Sequence, residues 1–467
     1  MKKLFAAAAL AGTALTSVPV MAQETQSVED QVAALAAEVA RLNQRVAELE
    51  AEQVQAEAQQ ADLAMERAAM AAEVVQLRES IPAAAVAAPA PATTTKWAGA
   101  PEFETEGGWS FKPFGRLNID AGTINAPASA GRPDGFGSEI RRARLGFSGD
   151  IPGGFGYKIE VDFAGDEVAV TDALITYDDG PLTLTVGQHN NFQSLEELTS
   201  SRWSSFMERA AFTDAFGFER RLGVSAQVDV TDTILLQAGV FTDNIADIPG
   251  DTWSGDARIV ASPKMGETQL HFGGSVHYTD VADGDTVRYR QRPLVHFTSE
   301  RFINTGNIGA DSEIGLGLET AIISGPFHAV GEAFWQKANR ADALMGDANF
   351  FGGYAEVGMF LTPGDRRGYK GGKFDRTRPA NPVDEGGIGA IQINARYDYL
   401  DLSDSAAGII GGTQNGYFAS LAWVPTDYTR LTFNYGRLQY DDAVYATGAG
   451  ERDYSVDVLG MRAQIDF

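Results

Sequence analysis

Three arginines fall within four positions of the stretch EIRRARLGFSG, residues 139–149: Arg141, Arg142 and Arg144. A guanidinium keeps its charge at any accessible pH and presents a planar fork of N–H donors, so a cluster of them where water is restricted forms a positive well for anions. The surrounding chain makes that concentration unusual, because the formal net charge is -26. Alternation with Leu145 and Phe147 sets Arg142 and Arg144 on one face of a strand, and Arg141 lies near the strand end, where a small twist brings it to the same side. Arg116 and Arg221 take that face too, judged against Leu117 and Leu222.

The element that must position these arginines is a strand repeated many times. In GRLNID, YKIEVDF and IQINARYDYL, apolar residues such as Ile119, Ile159 and Ile393 alternate with charged or amide residues such as Asp120, Glu160 and Arg396. A soluble sandwich turns the apolar face into a core, whereas a membrane barrel turns it toward lipid and lines a wet lumen with the charged face. Both signs of charge recur along the inward face over most of residues 109–467, aromatics gather at strand ends, and the closing MRAQIDF places Met461, Ile465 and the terminal Phe467 on one face. Short turns such as DIPGGF, DDGPL, VTDT, SGP and VPTD alternate with long Gly/Asp/Asn-rich connections. These features predict an all-β transmembrane barrel of about 16 antiparallel strands, with residues 280–312 readable as one long loop or an extra hairpin. Closure removes exposed strand edges and supplies rigidity to a chain without cysteine.

Three segments precede the barrel. Residues 1–22 read as a secretory signal peptide, with Lys2 and Lys3 before a short apolar run and small residues at Val20 and Ala22. Its removal takes the net charge from -26 to -28. Within residues 23–81, Val28, Leu35, Leu42 and Leu49 share one heptad position and Val32, Val39 and Val46 another, which predicts an α-helical coiled coil that oligomerises the chain. Gln53, Gln60 and Arg67 interrupt the seam, and Val opposite Leu leans toward two strands by core rules alone. Residues 82–108, Ala/Pro/Thr-rich at first, read as an extended linker.

Other chemistry is not expected. GDIPGGFGYK joins two strands and precedes no helix, so it is a turn and not a phosphate-cradling loop. His271 and His277 share a parity without a third ligand, ADGDT at 282–286 lacks the spacing of a dedicated calcium site, and no nucleophile motif sits between a strand and a helix. No cofactor, resident metal or enzymatic activity is expected, and the charge disfavours nucleic acid.

The order of the motifs GRLNID, SEIRRARLGFSGD, GYKIEVDFAG, DALITYDDGPLTLTVGQ, LEELTSSRWSSFMERA, FERRLGVS and GYKGGKFDRTRPANP resembles the phosphate-selective porin O and P family over roughly residues 111–467, most specifically over 138–224. The resemblance implies a homotrimer of 16-stranded barrels in the outer membrane of a Gram-negative bacterium, in contact with lipid and lipopolysaccharide, passing small inorganic anions such as phosphate. It implies that LEELTSSRWSSFMERA folds into the pore, that Arg141, Arg142, Ser200, Ser201 and Arg209 contact the anion, and that Asp172 orients the arginines. Two departures stand out: Glu196 and Glu197 occupy the place of an expected lysine, and Arg144 that of a tyrosine. A carboxylate a few ångströms from the anion costs on the order of 1 kcal/mol or more in partial solvent.

Three functions follow. The arginines form an anion-attracting constriction; or lumen carboxylates, Glu160, Asp162 and Asp172 among them, pair with the arginines and leave a general or cation-leaning porin; or the coiled coil and linker tether the envelope, reaching peptidoglycan, with the barrel as anchor. Deleting residues 24–100 separates the last from the others: a porin keeps its bilayer conductance after the deletion, whereas a tether leaves the outer membrane detached in cells.

Overall fold

The computed structural model describes residues 93–467 except 133, 248, 249 and 343, together with scattered positions between 36 and 76. Most of the expected coiled coil, like the signal peptide, lies outside the described residues; positions 64–72 are helical and exposed. Among the described residues no helix is long and apolar enough to cross a membrane.

Sixteen antiparallel strands close into a barrel. They are β1 (Ser110–Asn125), β2 (Gly135–Ile151), β3 (Phe155–Asp162), β4 (Ala169–Asp179), β5 (Leu182–Asn190), β6 (Arg220–Thr231), β7 (Ile234–Phe241) and β8 (Trp253–Ala261). The second half comprises β9 (Thr268–Asp280), β10 (Ile308–Ser324), β11 (Phe327–Arg340), β12 (Ala348–Phe360), β13 (Ala390–Asp404), β14 (Ile409–Thr426), β15 (Thr429–Asp441) and β16 (Tyr454–Asp466). Each strand pairs with its sequence neighbour, and β16 returns to β1 through Asp457↔Asn125 to Asp466↔Arg116. Every wall strand thereby has two partners, which is what a spanning sheet requires where no water can satisfy its backbone.

The two-residue period decides the facing. Ile119, Leu145, Ile159 and Ile175 are exposed on the outer wall, while Asn118, Asp120, Arg142 and Glu160 are buried inside. The alternation slips by one residue in β2: Asn118 pairs with Arg142 but Ile119 pairs with Ile140, leaving Arg141 as the extra residue of a β-bulge. The bulge turns Arg141 to the same side as Arg142, where strict alternation would have sent it outward.

Residues 281–307 are one loop and not an additional wall hairpin. Their short pairing, Arg290–Gln291 with Ile303–Asn304, lies apart from the wall, Thr286–Val287 only lies against Ile308 and Gly309 at the start of β10, and Phe302 and Ile303 are fully buried. The segment read as linker is corrected at its carboxyl end. Thr93–Ala98 pairs with Ala100–Thr105 around Gly99, whose φ of 80° closes the turn, and Phe103 and Glu104 pair with β1. Three threonines, a tryptophan and the glycine turn favour a hairpin here, and Pro101 is tolerated because it sits in a peripheral strand.

One end of the barrel carries the five short turns read from the sequence, with a single exception. The connection from β12 to β13, residues 361–389, is long and turns back into the lumen as a hairpin, Gly368–Lys370 with Lys373–Asp375. Arg258 of the wall donates to the Gly372 carbonyl at 2.9 Å, and Tyr369 meets His271 at 2.7 Å.

The lumen is divided by chemistry. On the side of β10–β16 apolar inward residues, among them Phe334, Phe350, Leu400, Phe418 and Leu438, stand between charged ones such as Glu332, Arg396 and Asp398, and they form one buried cluster with Phe206, Phe212 and Phe216 from residues 191–219 and with Val295 and Phe302 from the 281–307 loop. Each fully buried aromatic contributes about 1.5–3 kcal/mol, so both loops are held against that half of the wall. Gly352 of β12 is the seat of Phe212, since a Cβ built there would fall on the Phe212 Cβ. Gly352→Val is expected to lift this loop at a cost of about 1–3 kcal/mol. Single-channel recording should then show a larger, noisier conductance while the urea midpoint of the barrel falls.

Candidate functional site

The site is built on the loop that follows β5. Ser194 adopts a φ of 65° and its hydroxyl accepts the N–H groups of Glu196 and Glu197, opening a single turn, α1 (Leu195–Leu198). The inner wall completes the cap: Glu332 accepts the N–H of Leu195 at 2.9 Å and of Glu196 at 2.7 Å while Tyr354 donates to it at 2.9 Å. A second short turn, α2 (Ala211–Ala215), begins where Asp398 accepts the Ala211 N–H at 2.9 Å. Arg396 ties the Glu196 carboxylate to the wall at 2.7 Å, Arg462 does the same for Glu208 at 2.6 Å, and Arg367, from the 361–389 turn, donates to the Trp203 carbonyl at 3.0 Å.

Against this frame the expected site residues separate into three groups. Most of the arginines are paired. Arg141 grips Glu208 with two bonds of 2.9 and 3.1 Å; Arg144 meets Asp162 at 2.6 Å and Glu160 at 3.3 Å; Arg116 meets Glu160 at 3.1 Å and donates to Ser201 at 2.7 Å. Arg209 is a clasp within the loop, donating to the carbonyls of Glu196, Glu197 and Thr199 and pairing with the Glu197 carboxylate at 3.0 Å. Ser200 accepts from Arg202 at 3.1 Å and lines the lumen beside Ser201.

Arg142 forms the second group by itself. It is buried, and among the described residues it forms no ion pair and its Nε and Nη1 have no acceptor. It stands between two cavities and lines both, as does Arg209. The outer one, of about 180 Å³, lies toward the 281–307 loop and includes Glu197, Glu208 and Arg292. The inner one, of about 570 Å³, lies toward the 361–389 turn. Nine cationic side chains line the inner cavity against three carboxylates, Glu160, Asp172 and Asp375.

Two expectations are corrected. Asp172 does not orient Arg141 and Arg142; it accepts from Lys158 at 2.5 Å and Arg220 at 2.7 Å. Arg220 also takes the lumen place expected of Arg221, which pairs with Glu219 at 3.6 Å and does not line either cavity. Both residues stand on the last rungs of the β5–β6 ladder, opposite Asn190 and His189, and it is the long Arg220 side chain that reaches across to Asp172. Residues outside the sequence reading also enter: Lys158, Glu208 and Arg220, and, from the 361–389 turn, Lys370 and Lys373. The motif GYKGGKFDRTRP displayed those lysines, but nothing local to it indicates that a turn re-enters the lumen.

The model of the family described as phosphate-selective porin O and P matches residues 111–467. The chain belongs to that family. An uncharacterized protein of Caulobacter vibrioides is 47% identical over 390 residues, spanning 80% of this chain and 77% of the relative. Porin O of Pseudomonas aeruginosa is 26% identical over 389 residues, spanning 75% of this chain and 87% of its own. Among solved structures, OmpT, an outer membrane protein of Vibrio cholerae, aligns with a TM-score of 0.50 at 11% identity, covering 77% of this chain and 98% of that one. The protein is an outer-membrane porin of a Gram-negative bacterium, its barrel a channel through that membrane.

The two glutamates of the porin's loop have different surroundings. Glu196 faces the wall and Arg396, away from both cavities, whereas Glu197 lines the outer one. Burial pushes the Glu197 carboxyl above the usual glutamate range, although Arg209, Arg220 and Arg142 oppose the shift. It therefore takes up a proton before exposed carboxylates do as the pH falls, and the outer cavity then gains positive charge. Acidification from neutral pH should move the zero-current potential toward anions. Glu197→Gln should show that potential already at neutral pH, with a flatter dependence.

Proposed function

We propose that the porin conducts anions in preference to cations, with phosphate-like oxyanions as its solutes and Arg142 as the cation they meet at the narrowest part of the path. The observation that carries this reading is the charge imbalance of the inner cavity, nine cations to three carboxylates in a chain of net charge -26, with one guanidinium left unpaired at its outer limit. Restricted water makes that imbalance count, because the field of an unpaired charge is screened less inside a narrow lumen than at a surface. Arg116, Ser200, Ser201 and Arg209 line the same chamber, and Lys158, Lys370 and Lys373 continue the positive lining beyond it. The family description, phosphate-selective, supports oxyanion solutes. No covalent step is involved: the solute moves down its gradient and must be held weakly enough to leave.

The assembly is read as a homotrimer, in keeping with the Vibrio cholerae protein recorded in a trimer form, 9% identical with a TM-score of 0.50. The heptads of residues 28–81 are assigned to that assembly and, at their far end, to peptidoglycan. The apolar outer wall is assigned to lipid and lipopolysaccharide.

A second reading, a general or cation-leaning porin, draws on the pairing of Arg116, Arg141, Arg144 and Arg209 with carboxylates. Bilayer recording of the purified porin under a KCl gradient, with millimolar phosphate added, decides between the two. The anion reading expects chloride preference and block by phosphate. Arg142→Ala should raise the half-blocking concentration by about tenfold or more, the loss of one charged hydrogen-bonding group. Cation preference, with no effect of phosphate in either protein, would establish the general porin.

A further inference from the structure

The inner cavity is larger than a path for bare inorganic ions requires, and aromatic side chains stand among its charged lining. Its volume of about 570 Å³ falls in the range of about 300–1,000 Å³ found for sites that hold organic ligands, and a five-atom oxyanion fills a small part of it. Three aromatic side chains, Phe192, Trp203 and Phe374, line it among the cations. Trp203 is the one left partly exposed, and it is held in place from several directions. The guanidinium carbons of Arg202 and Arg376 lie 4.6 and 4.3 Å from its ring centroid, and its carbonyl accepts from Arg367 at 3.0 Å. Phe374 is fixed behind it under the Arg367 guanidinium, 4.3 Å from the ring centroid.

Three cations on this chamber have no carboxylate engaged among the described residues: Arg142, and the two lysines of the re-entrant turn, Lys370 and Lys373. Among the lining carboxylates, Glu160 and Asp172 are engaged by arginine and lysine, and Asp375 is the one that forms no ion pair among the described residues. The chamber therefore offers an anionic group a cation without a competing salt bridge, and offers an attached ring a rigid indole.

We propose that the inner cavity is a subsite for organic oxyanions, a phosphate- or carboxylate-type group carrying a planar aromatic body, with the anionic group toward Arg142 and Lys373 and the ring against Trp203. The subsite rests on the anion preference proposed above, and it narrows the solute class from inorganic ions to aryl oxyanions. Ring contact with a preorganised indole is a modest term, worth a several-fold change in affinity, which suits a channel that must release what it binds.

The test compares phenyl phosphate with inorganic phosphate as blockers of the full-length porin in planar bilayers, with Trp203→Ala and Trp203→Phe alongside. The subsite expects phenyl phosphate to block at about five-fold lower concentration than inorganic phosphate. Trp203→Ala should remove that advantage while leaving inorganic phosphate within about twofold of its native value, and Trp203→Phe should restore most of it. Equal block by the two anions, with no change in Trp203→Ala, overturns the subsite and leaves the anion preference standing. No block by either anion overturns both. A loss of inorganic phosphate block in Trp203→Ala equal to the loss for phenyl phosphate also overturns it, because the indole would then act only by shaping the loop.

Discussion

Glu332 and Asp398 sit on the inner wall, form no ion pair among the described residues, and accept the backbone N–H groups that open the two turns of the 191–219 loop. A buried carboxylate without a cation is costly unless N–H or O–H donors satisfy it, and the loop's N–H groups supply donors to both, so the docked loop stabilises the wall as the wall caps the loop. The apolar packing of Phe212 against Phe334 and Tyr354 then has a defined geometry to act on, with ring centroids 6.0 and 6.3 Å apart. Everything about the pore follows from this docking. It fills the lumen along β10–β16 and leaves the conducting space against β1–β6, where the inward residues are charged.

On that open side the charges are mostly spent on one another. Buried ion pairs contribute little net stability because desolvation offsets their attraction, but they hold side chains in fixed positions and cancel their far field. Glu160 and Asp162 do this for Arg116 and Arg144, and Glu208 does it for Arg141. The bulge in β2 matters for this reason. It turns Arg141 inward onto Glu208 and leaves Arg142 as the guanidinium without an acceptor, so a run of similar residues is divided into structural members and one free charge.

The re-entrant turn at residues 361–389 extends the same logic to the opposite end. It brings Lys370, Lys373 and Phe374 to the cavity that β1–β6 line, and it touches the 191–219 loop through Arg367. The inner chamber is thus bounded by three segments distant in sequence, and its aromatic and cationic surfaces come from different ones.

Much of this was legible from the residues. A period of two, held from β1 to β16, is a local consequence of strand geometry, and it assigns Ile119 and Leu145 outward and Arg116 and Arg142 inward without further information. Turn lengths and the inward direction of Arg142 and Arg144 follow from the same rule, because each depends only on neighbours along the chain, whereas Arg141 turns inward only through the bulge set by pairing with β1. The partners of those arginines do not. Whether Asp172 meets Arg142 or Lys158, whether Glu196 faces solute or Arg396, and whether GYKGGKFD ends in solvent or in the lumen are settled by contacts between segments tens to hundreds of residues apart. The sequence determined a barrel with charged residues inside, since alternation is a property of each strand. Only the tertiary structure decided which charge remains unpaired, since pairing is a property of the closed wall and the two loops and one turn folded into it.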